Sequence, residues 1–359
     1  MKMMKIMLML IFCVLLCACG GKSTNSGSED DNNRVSDNVT GKIVAGKRNI
    51  IIDTDTGADD ASALILAALN PDVNIVGVTV LVGNVDLEQS IRNALMALEM
   101  ADCNAPVYKG SADTLDGTKK EAFSVFGTDG MGDAGLINPK GVATEGDAVD
   151  FIINTVKAYP GEIELVALGP ATNIAKAIKK DPEAMKNAKM IWSMGTAGLG
   201  VGNASPVAEF NVYADAKAYK VMLDSGLPIT VVGLDMCGDE AQWTDEQFIV
   251  LKAQSEVGSF VADSFGKIRE FYKQNGSETV MNCDSLAMMC VLEPEFIKGK
   301  INAHGSCITD EGETYAQVII YKEGFTYDAA KNDFDYNVTL ITDVDKSSYF
   351  SRYLAAVKK

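Results

Sequence analysis

Short apolar segments alternate with segments of helical periodicity from Asn49 onward. Ile50–Ile52 is a β-branched run, and Val73–Val82 has the pattern of a second buried strand. The residues between them recur at the i, i+3, i+4 and i+7 spacing of an amphipathic helix, namely Ala61, Leu64, Ile65, Ala68 and Leu69. The same patterns predict further strands at Ile163–Ala167, Met190–Ser193 and Ile229–Val232, and further helices at Leu87–Leu98, Ala171–Lys180 and Asp215–Leu223. This alternation predicts an α/β fold with a mostly parallel central sheet and helices on both faces.

One domain accounts for this pattern. No internal repeat and no second linker interrupts residues 48–359, so we expect a single domain there. A helical stretch at 244–292 and a more β-like part after it are expected as additions near the C-terminus.

The N-terminus has the features of a targeting segment. Lys2 and Lys5 precede an apolar run, Ile6–Leu16, that is shorter than the roughly 20 residues a membrane span needs. The run ends in Leu16-Cys17-Ala18-Cys19-Gly20, which resembles a bacterial lipobox with lipidation at Cys19; the alternative is an ordinary signal peptide cut near Ala18. We therefore expect a lipoprotein signal peptide at 1–19 and a flexible acidic tether at 20–47. The protein would be lipid-anchored outside the cytoplasmic membrane of a bacterium, on the periplasmic side or the cell surface, with no other membrane contact.

Charge and histidine content exclude several classes of function. The chain has 32 basic and 49 acidic residues, a net charge of −17, which argues against nucleic acid as a partner. Its single histidine, His304, makes a Ser-His-Asp triad, a Cys-His dyad or a multi-histidine zinc site improbable. The five cysteines after the N-terminus form no C-x-x-C pair and suggest no disulfide framework, so most are expected to be small buried side chains: Cys103, Cys237, Cys283, Cys290 and Cys307.

Polar residues follow the predicted strands at their carboxyl ends, where parallel α/β sheets bind ligands. Asp53-Thr54-Asp55-Thr56-Gly57-Ala58-Asp59-Asp60 follows the first strand, and Gly83-Asn84 the second. Leu168-Gly169-Pro170-Ala171-Thr172-Asn173 and Met194-Gly195 follow two later strands, with Asn203 and Glu209-Phe210-Asn211 close behind. This clustering predicts a functional site at that edge of the sheet.

The first cluster places four carboxylates within one loop. They would repel one another in a partly buried site unless a cation lay among them, and oxygen ligands alone favour Ca²⁺ or Mg²⁺. The alternative is that Asp59 and Asp60 only cap a helix that starts at Ala61. The loop by itself does not decide between them.

These residues resemble a known family. The first cluster is similar to the D-T-D-P-G-x-D-D signature of the inosine/uridine-preferring nucleoside hydrolases. The resemblance continues, in the expected order over roughly 49–350, through Val82-Gly83-Asn84, Leu168–Ala175, Met194-Gly195, Ala208-Glu209-Phe210-Asn211 with Asp215, and Cys283-Asp284.

The resemblance implies a Rossmann-like calcium-dependent hydrolase that cleaves ribonucleosides into ribose and free base. It implies Ca²⁺ ligands at Asp55, Asp60, Asp284 and the carbonyl of Leu168. It implies substrate contacts to the sugar from Asp59, Asn84, Asn211 and Met194, and to the 5′-hydroxyl from Asn203 and Glu209. A metal-bound water would attack C1′, and Asp55 would take its proton. Members of the family are commonly homodimers or homotetramers.

Three positions depart from the family pattern. Thr56 replaces the usual proline, Phe126 stands where many members have a base-side histidine, and Cys283 replaces the histidine of the usual His-Asp pair. A subgroup of the family also has cysteine there, so Cys283 is either a weak catalytic acid or a space-filling residue. Four aromatic residues are expected to stack on the base or to pack in the core: Tyr213, Trp243, Phe271 and Tyr272. His304 lies outside every motif and is expected to be exposed or structural.

Two alternatives to a ribonucleoside hydrolase follow from these departures. One is a non-catalytic nucleoside-binding lipoprotein that lost turnover together with the histidines. The other is a hydrolase of a different N-riboside. Base preference is not readable, because base contacts lie in loops outside the matched motifs.

Overall fold

The computed structural model describes residues 41–117, 123–323 and 335–358. The first part of the chain alternates strands and helices: β1 Arg48–Thr54, α1 Ala58–Leu69, β2 Val73–Val80, α2 Leu87–Met100, β3 Val107–Lys109, α3 Phe123–Phe126, β4 Thr144–Asp147, α4 Ala148–Ala158, β5 Ile163–Ala167, α5 Thr172–Lys180, α6 Pro182–Met185, β6 Met190–Met194, α7 Phe210–Ala214, α8 Ala216–Leu223 and β7 Ile229–Val232. The remainder comprises β8 Trp243–Thr244, α9 Asp245–Gln254, α10 Glu256–Ser264, α11 Gly266–Gln274, β9 Thr279–Val280, α12 Cys283–Leu292, β10 Ile297–Cys307, β11 Val318–Lys322, β12 Val338–Val344 and α13 Tyr349–Ala356.

Ten of these strands form the main sheet, in the order β11-β10-β12-β7-β6-β5-β1-β2-β3-β4. Along this order from β12 to β4, every pair of neighbouring strands is parallel. β10 is antiparallel to both of its neighbours, and β8 and β9 form a separate two-stranded sheet. The predicted mostly parallel α/β fold is therefore confirmed, and the β-like C-terminal part extends its sheet.

Burial on both faces explains why the middle of β1, Ile50–Ile52, is apolar at consecutive positions. Ile50 and Ile52 pack into the apolar core that includes α1, α2 and α12. Ile51 points to the opposite face, into the core that includes α4, α5 and α8. A parallel strand covered by helices on both sides has no solvent-facing side chains, which removes the polar alternation of a one-sided sheet.

The predicted elements differ from the structure mainly at their ends. The strands at Ile163–Ala167 and Ile229–Val232 are as predicted. Helix α1 begins at Ala58, three residues before the predicted start, because its first turn contains the two aspartates. Strands β3 and β4 and helix α4 were not predicted from the sequence. The two strands have only three and four residues, too few to show a period.

Residues 41–47, which the analysis assigned to the tether, pack against the domain. The N–H of Gly41 donates to the Thr155 hydroxyl at 3.1 Å, and the side chain of Asn74 donates to the Lys42 carbonyl at 2.9 Å. The predicted signal peptide, Cys19 and the tether up to residue 40 lie outside the described residues. No helix of the described segments is long and apolar enough to span a membrane.

Candidate active site

The site lies where the order of the strands reverses. From β1 the chain proceeds outward through β2, β3 and β4, and then returns to place β5 on the other side of β1. Loops that leave β1 and β5 at their carboxyl ends therefore diverge and leave a crevice between them. Because these strands are parallel, their carboxyl ends bring Asp55, Asn84 and Leu168 to one edge of the sheet.

Asp55 is held between two backbone segments in this crevice. Its Oδ2 accepts a hydrogen bond from the Asn84 N–H at 2.6 Å. A Cβ added at Gly83 would lie 2.0 Å from Oδ2, and one added at Gly169 would lie 2.3 Å from Oδ1. Both glycines are therefore required by close approach to this carboxylate, which is fully buried.

Asp60 connects the first loop to α1. One oxygen accepts from the Thr54 hydroxyl at 2.5 Å; the other accepts from the Gly57 N–H and the Asn84 side-chain amide, both at 2.9 Å. The bond from Gly57 satisfies a backbone donor at the start of the helix. The capping alternative is thus correct for one oxygen of Asp60, but it does not account for the other acids around it.

Four carboxylates converge at this point; we call them the carboxylate end of the site: Asp55, Asp59, Asp60 and Asp284. One oxygen from each of Asp59, Asp60 and Asp284 lies within 4.8 Å of the others. Asp55 interacts electrostatically with all three. Two buried oxygens, Asp55 Oδ1 and Asp59 Oδ1, have no hydrogen-bond partner among the described residues.

Burial and mutual repulsion make these acids hard to ionise. Burial, followed by the charge of Asp60, raises the pKa of Asp55 well above its usual value and that of Asp59 to about 8. Burial and the neighbouring carboxylates raise the pKa of Asp284 strongly as well. A site of this kind carries its full negative charge at neutral pH only when a positive charge is present.

The donor set fits a hard divalent cation. All its side-chain ligands are oxygens, and the two unpartnered oxygens offer lone pairs that no group in the described part of the chain uses. The Leu168 carbonyl accepts from the Asn211 side-chain amide at 2.6 Å, which leaves its second lone pair free. These residues could hold Ca²⁺ as the family resemblance implies.

Beside the acids lies a pocket of about 420 Å³. Its lining includes every residue that the sequence analysis assigned to substrate: Asp59, Asn84, Met194, Asn203, Glu209 and Asn211. Asp284 and Cys283 also line it. Asp55 and Asp60 are fully buried behind this surface and are bonded to Asn84 on the pocket wall.

Helix α7 positions two of these side chains. Glu209 precedes the helix, and its carboxylate accepts from the N–H groups of Asn211 and Thr196, at 2.9 and 3.2 Å. Asn211 in turn donates to the carbonyls of Leu168 and Met194. Burial raises the pKa of Glu209 to about 7, against the lowering effect of those backbone bonds. The side-chain oxygen Oδ1 of Asn203 accepts from the Phe210 N–H at 2.9 Å, which ties the preceding loop to the same helix.

The pocket wall also contains aromatic side chains, and we call four of them the aromatic end: Phe126, Tyr213, Phe271 and Tyr272. Val125, Ile268 and Met281 complete it with apolar surface. No Lys or Arg is found among the described residues that line the pocket. This wall can stack on a planar ring and excludes water from it.

Two residues considered in the sequence analysis lie elsewhere. Trp243 is 1% exposed and packs among Phe248, Phe265, Tyr349, Phe350 and Tyr353, so the core-packing alternative is correct for it. His304 lies on β10, outside the pocket lining, with Nδ1 3.0 Å from the Asp335 carbonyl. The described cysteines are unpaired by disulfides, as expected.

The sequence analysis missed two residues that shape the site. The buried side chain of Asn93 donates to the carbonyls of Thr56 and Asp129, both at 2.8 Å, and so joins the first loop to the segment after α3. Cys237 ends the turn on which α12 packs, and its thiol interacts with that of Cys283. No motif marks either residue, since each contact joins segments distant in sequence.

Comparison with known proteins agrees with this geometry. The profile of the inosine-uridine preferring nucleoside hydrolases matches residues 50–351. Uridine nucleosidase 1 of Arabidopsis thaliana is 33% identical over 299 residues, 81% of this chain and 86% of its own. A plant nucleoside hydrolase superposes with a TM-score of 0.81 at 26% identity, over 87% of this chain and 99% of its own. For the purine-preferring ribonucleoside hydrolase of Gardnerella vaginalis the TM-score is 0.78 at 28% identity, over 86% of this chain and 98% of that protein.

Proposed function

Because the chain belongs to the inosine-uridine preferring nucleoside hydrolase family, we propose that it is a calcium-dependent N-ribosyl hydrolase that releases free base from ribonucleosides. The observation that carries this proposal is that three buried carboxylates and the half-buried Asp59, two of the four with an oxygen that has no partner among the described residues, adjoin a pocket of about 420 Å³. The relatives named above act on uridine in one case and prefer purines in another, so they do not rank the bases for this chain.

The sugar binds at the carboxylate end in this proposal. Asp59, Asn84 and Asn211 face the 2′- and 3′-hydroxyls, which need both donors and acceptors to pair fully. Glu209 and Asn203 face the 5′-hydroxyl. When bound among Asp55, Asp60, Asp284 and the Leu168 carbonyl, Ca²⁺ would supply positive charge that orients the ribose diol and acidifies water.

Asp55 acts as the base. Its unpartnered Oδ1 is the acceptor for the proton of the water that attacks C1′, while its Oδ2 stays bonded to the Asn84 N–H. Cleavage leaves positive charge on the ribosyl ring, which the surrounding carboxylates stabilise electrostatically.

Cys283 is a poor acid for the departing base. Its hydrogen bond to Cys237, together with burial, raises the pKa of its thiol well above the ordinary value. We therefore infer that Cys283 fills space beside Asp284, and that the base takes its proton from water.

Two further proposals come from the sequence and the family. We propose that the mature chain is a lipoprotein anchored through Cys19 outside the cytoplasmic membrane, and that it assembles as a homodimer or homotetramer. Globomycin treatment of producing cells, which blocks lipoprotein signal cleavage, should leave a larger precursor. Light scattering of the purified protein measures its oligomeric state, and a monomer would contradict the proposed homodimer or homotetramer.

Release of ribose from a panel of ribonucleosides tests the main proposal. The protein is assayed after chelation and again after calcium is restored, with inosine, guanosine, adenosine, uridine and cytidine. Ribose release that appears only with calcium supports the hydrolase. Tight binding of intact nucleoside without release would favour the binding lipoprotein, and turnover only with other N-ribosides would assign a different substrate.

A further inference from the structure

The acids of the carboxylate end come from two helices that are far apart in the sequence. Asp59 and Asp60 lie in the first turn of α1, and Asp284 lies in the first turn of α12. One oxygen from each of these three acids lies within 4.8 Å of the others. Their separation therefore depends on where α1 and α12 are held relative to each other.

A buried serine on α1 joins the two helices. Ser62 is fully buried, and every other residue of α1 after Asp60 is Ala, Leu or Ile. Its Oγ lies 2.6 Å from Oγ of Ser285, which is also fully buried and directly follows Asp284 in α12. Each serine thus lies within about 3 Å of an acid along its helix axis, at a rise of about 1.5 Å per residue. The side-chain amide of Asn282 also donates to Ser62 Oγ, at 3.0 Å.

The C-terminal helix α13 completes this contact. Ser62 Oγ donates to Tyr353 Oη at 2.8 Å, and Tyr353 Oη donates back to the Ser62 carbonyl at 3.3 Å. Tyr349, one turn earlier in α13, donates to the Asn282 carbonyl at 2.9 Å. The single proton of the Ser62 hydroxyl is used on α13, so its two lone pairs accept from Asn282 and Ser285. We call these four residues the Ser62 cluster: Ser62, Asn282, Ser285 and Tyr353.

We propose that Ser62 is a positioning residue, which holds the acids of α1 at a fixed distance from Asp284 and so sets the affinity of the carboxylate end for its cation. The inference rests on the cation site of the proposed function. Apolar burial has no preferred direction, so the Ala and Leu side chains of α1 do not by themselves prevent a shift along α12. Hydrogen bonds hold their atoms within narrow limits of distance and angle. Three such bonds, from different directions, meet at the Ser62 hydroxyl and oppose that shift.

Loss of this hydroxyl would be felt at the acids. The Asn282 amide and the Tyr353 hydroxyl are buried and would each lose a partner, which is costly enough to favour a rearrangement of the surrounding helices. Any movement of Ser285 also moves Asp284, the residue before it in α12. Oxygen ligands bind Ca²⁺ at about 2.3–2.6 Å, a range so narrow that small displacements of an acid weaken binding.

Calcium binding to the full chain tests the proposal without relying on turnover. The protein is treated with a chelator, desalted and titrated with CaCl₂ in a calorimeter. In Ser62→Ala we expect the calcium Kd to rise ~10-fold, the lower end of the range for residues that orient metal ligands. The titration is made well below the Tm of each variant. A general loss of stability then leaves the Kd unchanged, because only the folded state binds the ion.

Ser264→Ala is the matched control. Ser264 is a buried serine of α10 outside the pocket lining, and its hydroxyl donates to the Val261 carbonyl of its own helix at 2.8 Å. The substitution removes the same atoms as Ser62→Ala but breaks no bond between helices. It should therefore leave the calcium Kd unchanged.

Two more substitutions examine the contact itself. Ser285→Ala should also raise the Kd, and in the double variant with Ser62→Ala the two effects should not multiply, because both break the same contact. Tyr353→Phe keeps the ring that packs against Trp243 and removes only the hydroxyl. It should raise the Kd in the same direction, and it tests the cluster even if Ser62→Ala does not fold.

The outcomes separate this inference from the proposed function. Equal calcium Kd values for Ser62→Ala, Ser264→Ala and the unmutated chain would overturn the positioning role and leave the hydrolase intact. Effects that multiply in the double variant would also overturn it. Weaker calcium binding in Ser62→Ala, together with no ribose release by the unmutated chain, would contradict the proposed hydrolase alone. An unmutated chain that binds no calcium contradicts both.

Discussion

The two ends of the pocket are built by different parts of the fold. The carboxylate end comes from the loop after β1, the first turn of α1 and the start of α12, and the backbone N–H groups of Gly57 and Asn84 bind two of its acids. The aromatic end comes from α3, α7 and α11, and α11 belongs to the helical addition after β7. One end of the site thus begins at the carboxyl end of the central strand β1, while helices alone form the other.

This difference suggests a division of labour. The carboxylate end contains the groups that bind ribose and act on C1′, which every ribonucleoside shares. The aromatic end contacts the part of the substrate in which ribonucleosides differ. We therefore expect changes at the first end to alter turnover and changes at the second to alter affinity and base choice.

The largest expected effect on kcat/KM comes from changing the sugar of the substrate. Without the 2′-hydroxyl, a side-chain donor or acceptor of Asp59, Asn84 or Asn211 loses its hydrogen-bond partner in the bound state. We expect kcat/KM for a 2′-deoxyribonucleoside to fall by ~10⁴ relative to the matching ribonucleoside. Equal rates for the two would show that the sugar does not bind at the carboxylate end.

Asp55→Ala should lower kcat by ~10³, within the range for loss of a general base. The variant also removes an oxygen from the proposed cation site. Asp72→Ala, at an exposed aspartate, is the matched control and should keep normal turnover. Steady-state kinetics of both variants would contradict the mechanism if Asp55→Ala retained near-normal kcat.

Calcium should stabilise the protein more at high pH than at low pH. The pKa of Asp59 is about 8 in the fold and 3.8 when unperturbed, so the folded state binds more protons between those values. Without calcium, stability contributed by this group is present at low pH and is lost as pH rises toward 8. Calcium at 100 times its Kd should add about 2.7 kcal/mol near pH 8 and clearly less near pH 5.

Thermal unfolding of chelator-treated, desalted protein with and without added CaCl₂ measures this difference at each pH. Comparing the two forms at the same pH cancels the effect of the other titrating groups. A calcium-induced rise in Tm that is larger at pH 5 than at pH 8 would contradict the carboxylate site.

Phe271→Ala tests the aromatic end. Loss of stacking on a base costs about 1–3 kcal/mol, so KM should rise ~10-fold or more while kcat changes little. Tyr336→Ala, at a half-exposed aromatic outside the pocket lining, serves as control. A fall in kcat with unchanged KM would mean that this wall takes part in the chemistry.

Cys283→Ala should have the smallest effect. A space-filling thiol predicts a change in kcat of less than about three-fold, whereas a working general acid contributes ~10²–10⁴. Cys290→Ala removes a buried thiol from the same helix and controls for lost packing. A loss of 10²-fold confined to Cys283→Ala would restore the acid role.

Much of the carboxylate end was visible in the sequence because topology determines it. Once β1, β2 and β5 are recognised as parallel neighbours, Asp55, Asn84 and Leu168 must lie at one edge of the sheet. Asp284 was found by the family resemblance alone, since α12 lies more than 200 residues downstream of Asp60.

The aromatic end could not be assembled in the same way. No period or strand end shows that Phe126 and Phe271 face one pocket while Trp243 does not, because each helix could bury any of its aromatic residues. The contact between Cys237 and Cys283 depends on how α12 packs against the turn after β7. Tertiary packing of this kind leaves no local pattern.

The close approach of the Gly83 and Gly169 backbone to Asp55 also has an entropic consequence. Because backbone lies close to both of its oxygens, the carboxylate is confined, and it loses conformational freedom when the domain folds. Ordering a mobile side chain on binding costs roughly 0.5–1.5 kcal/mol. Asp55 is already preorganised, so a substrate that enters this crevice does not bear that cost.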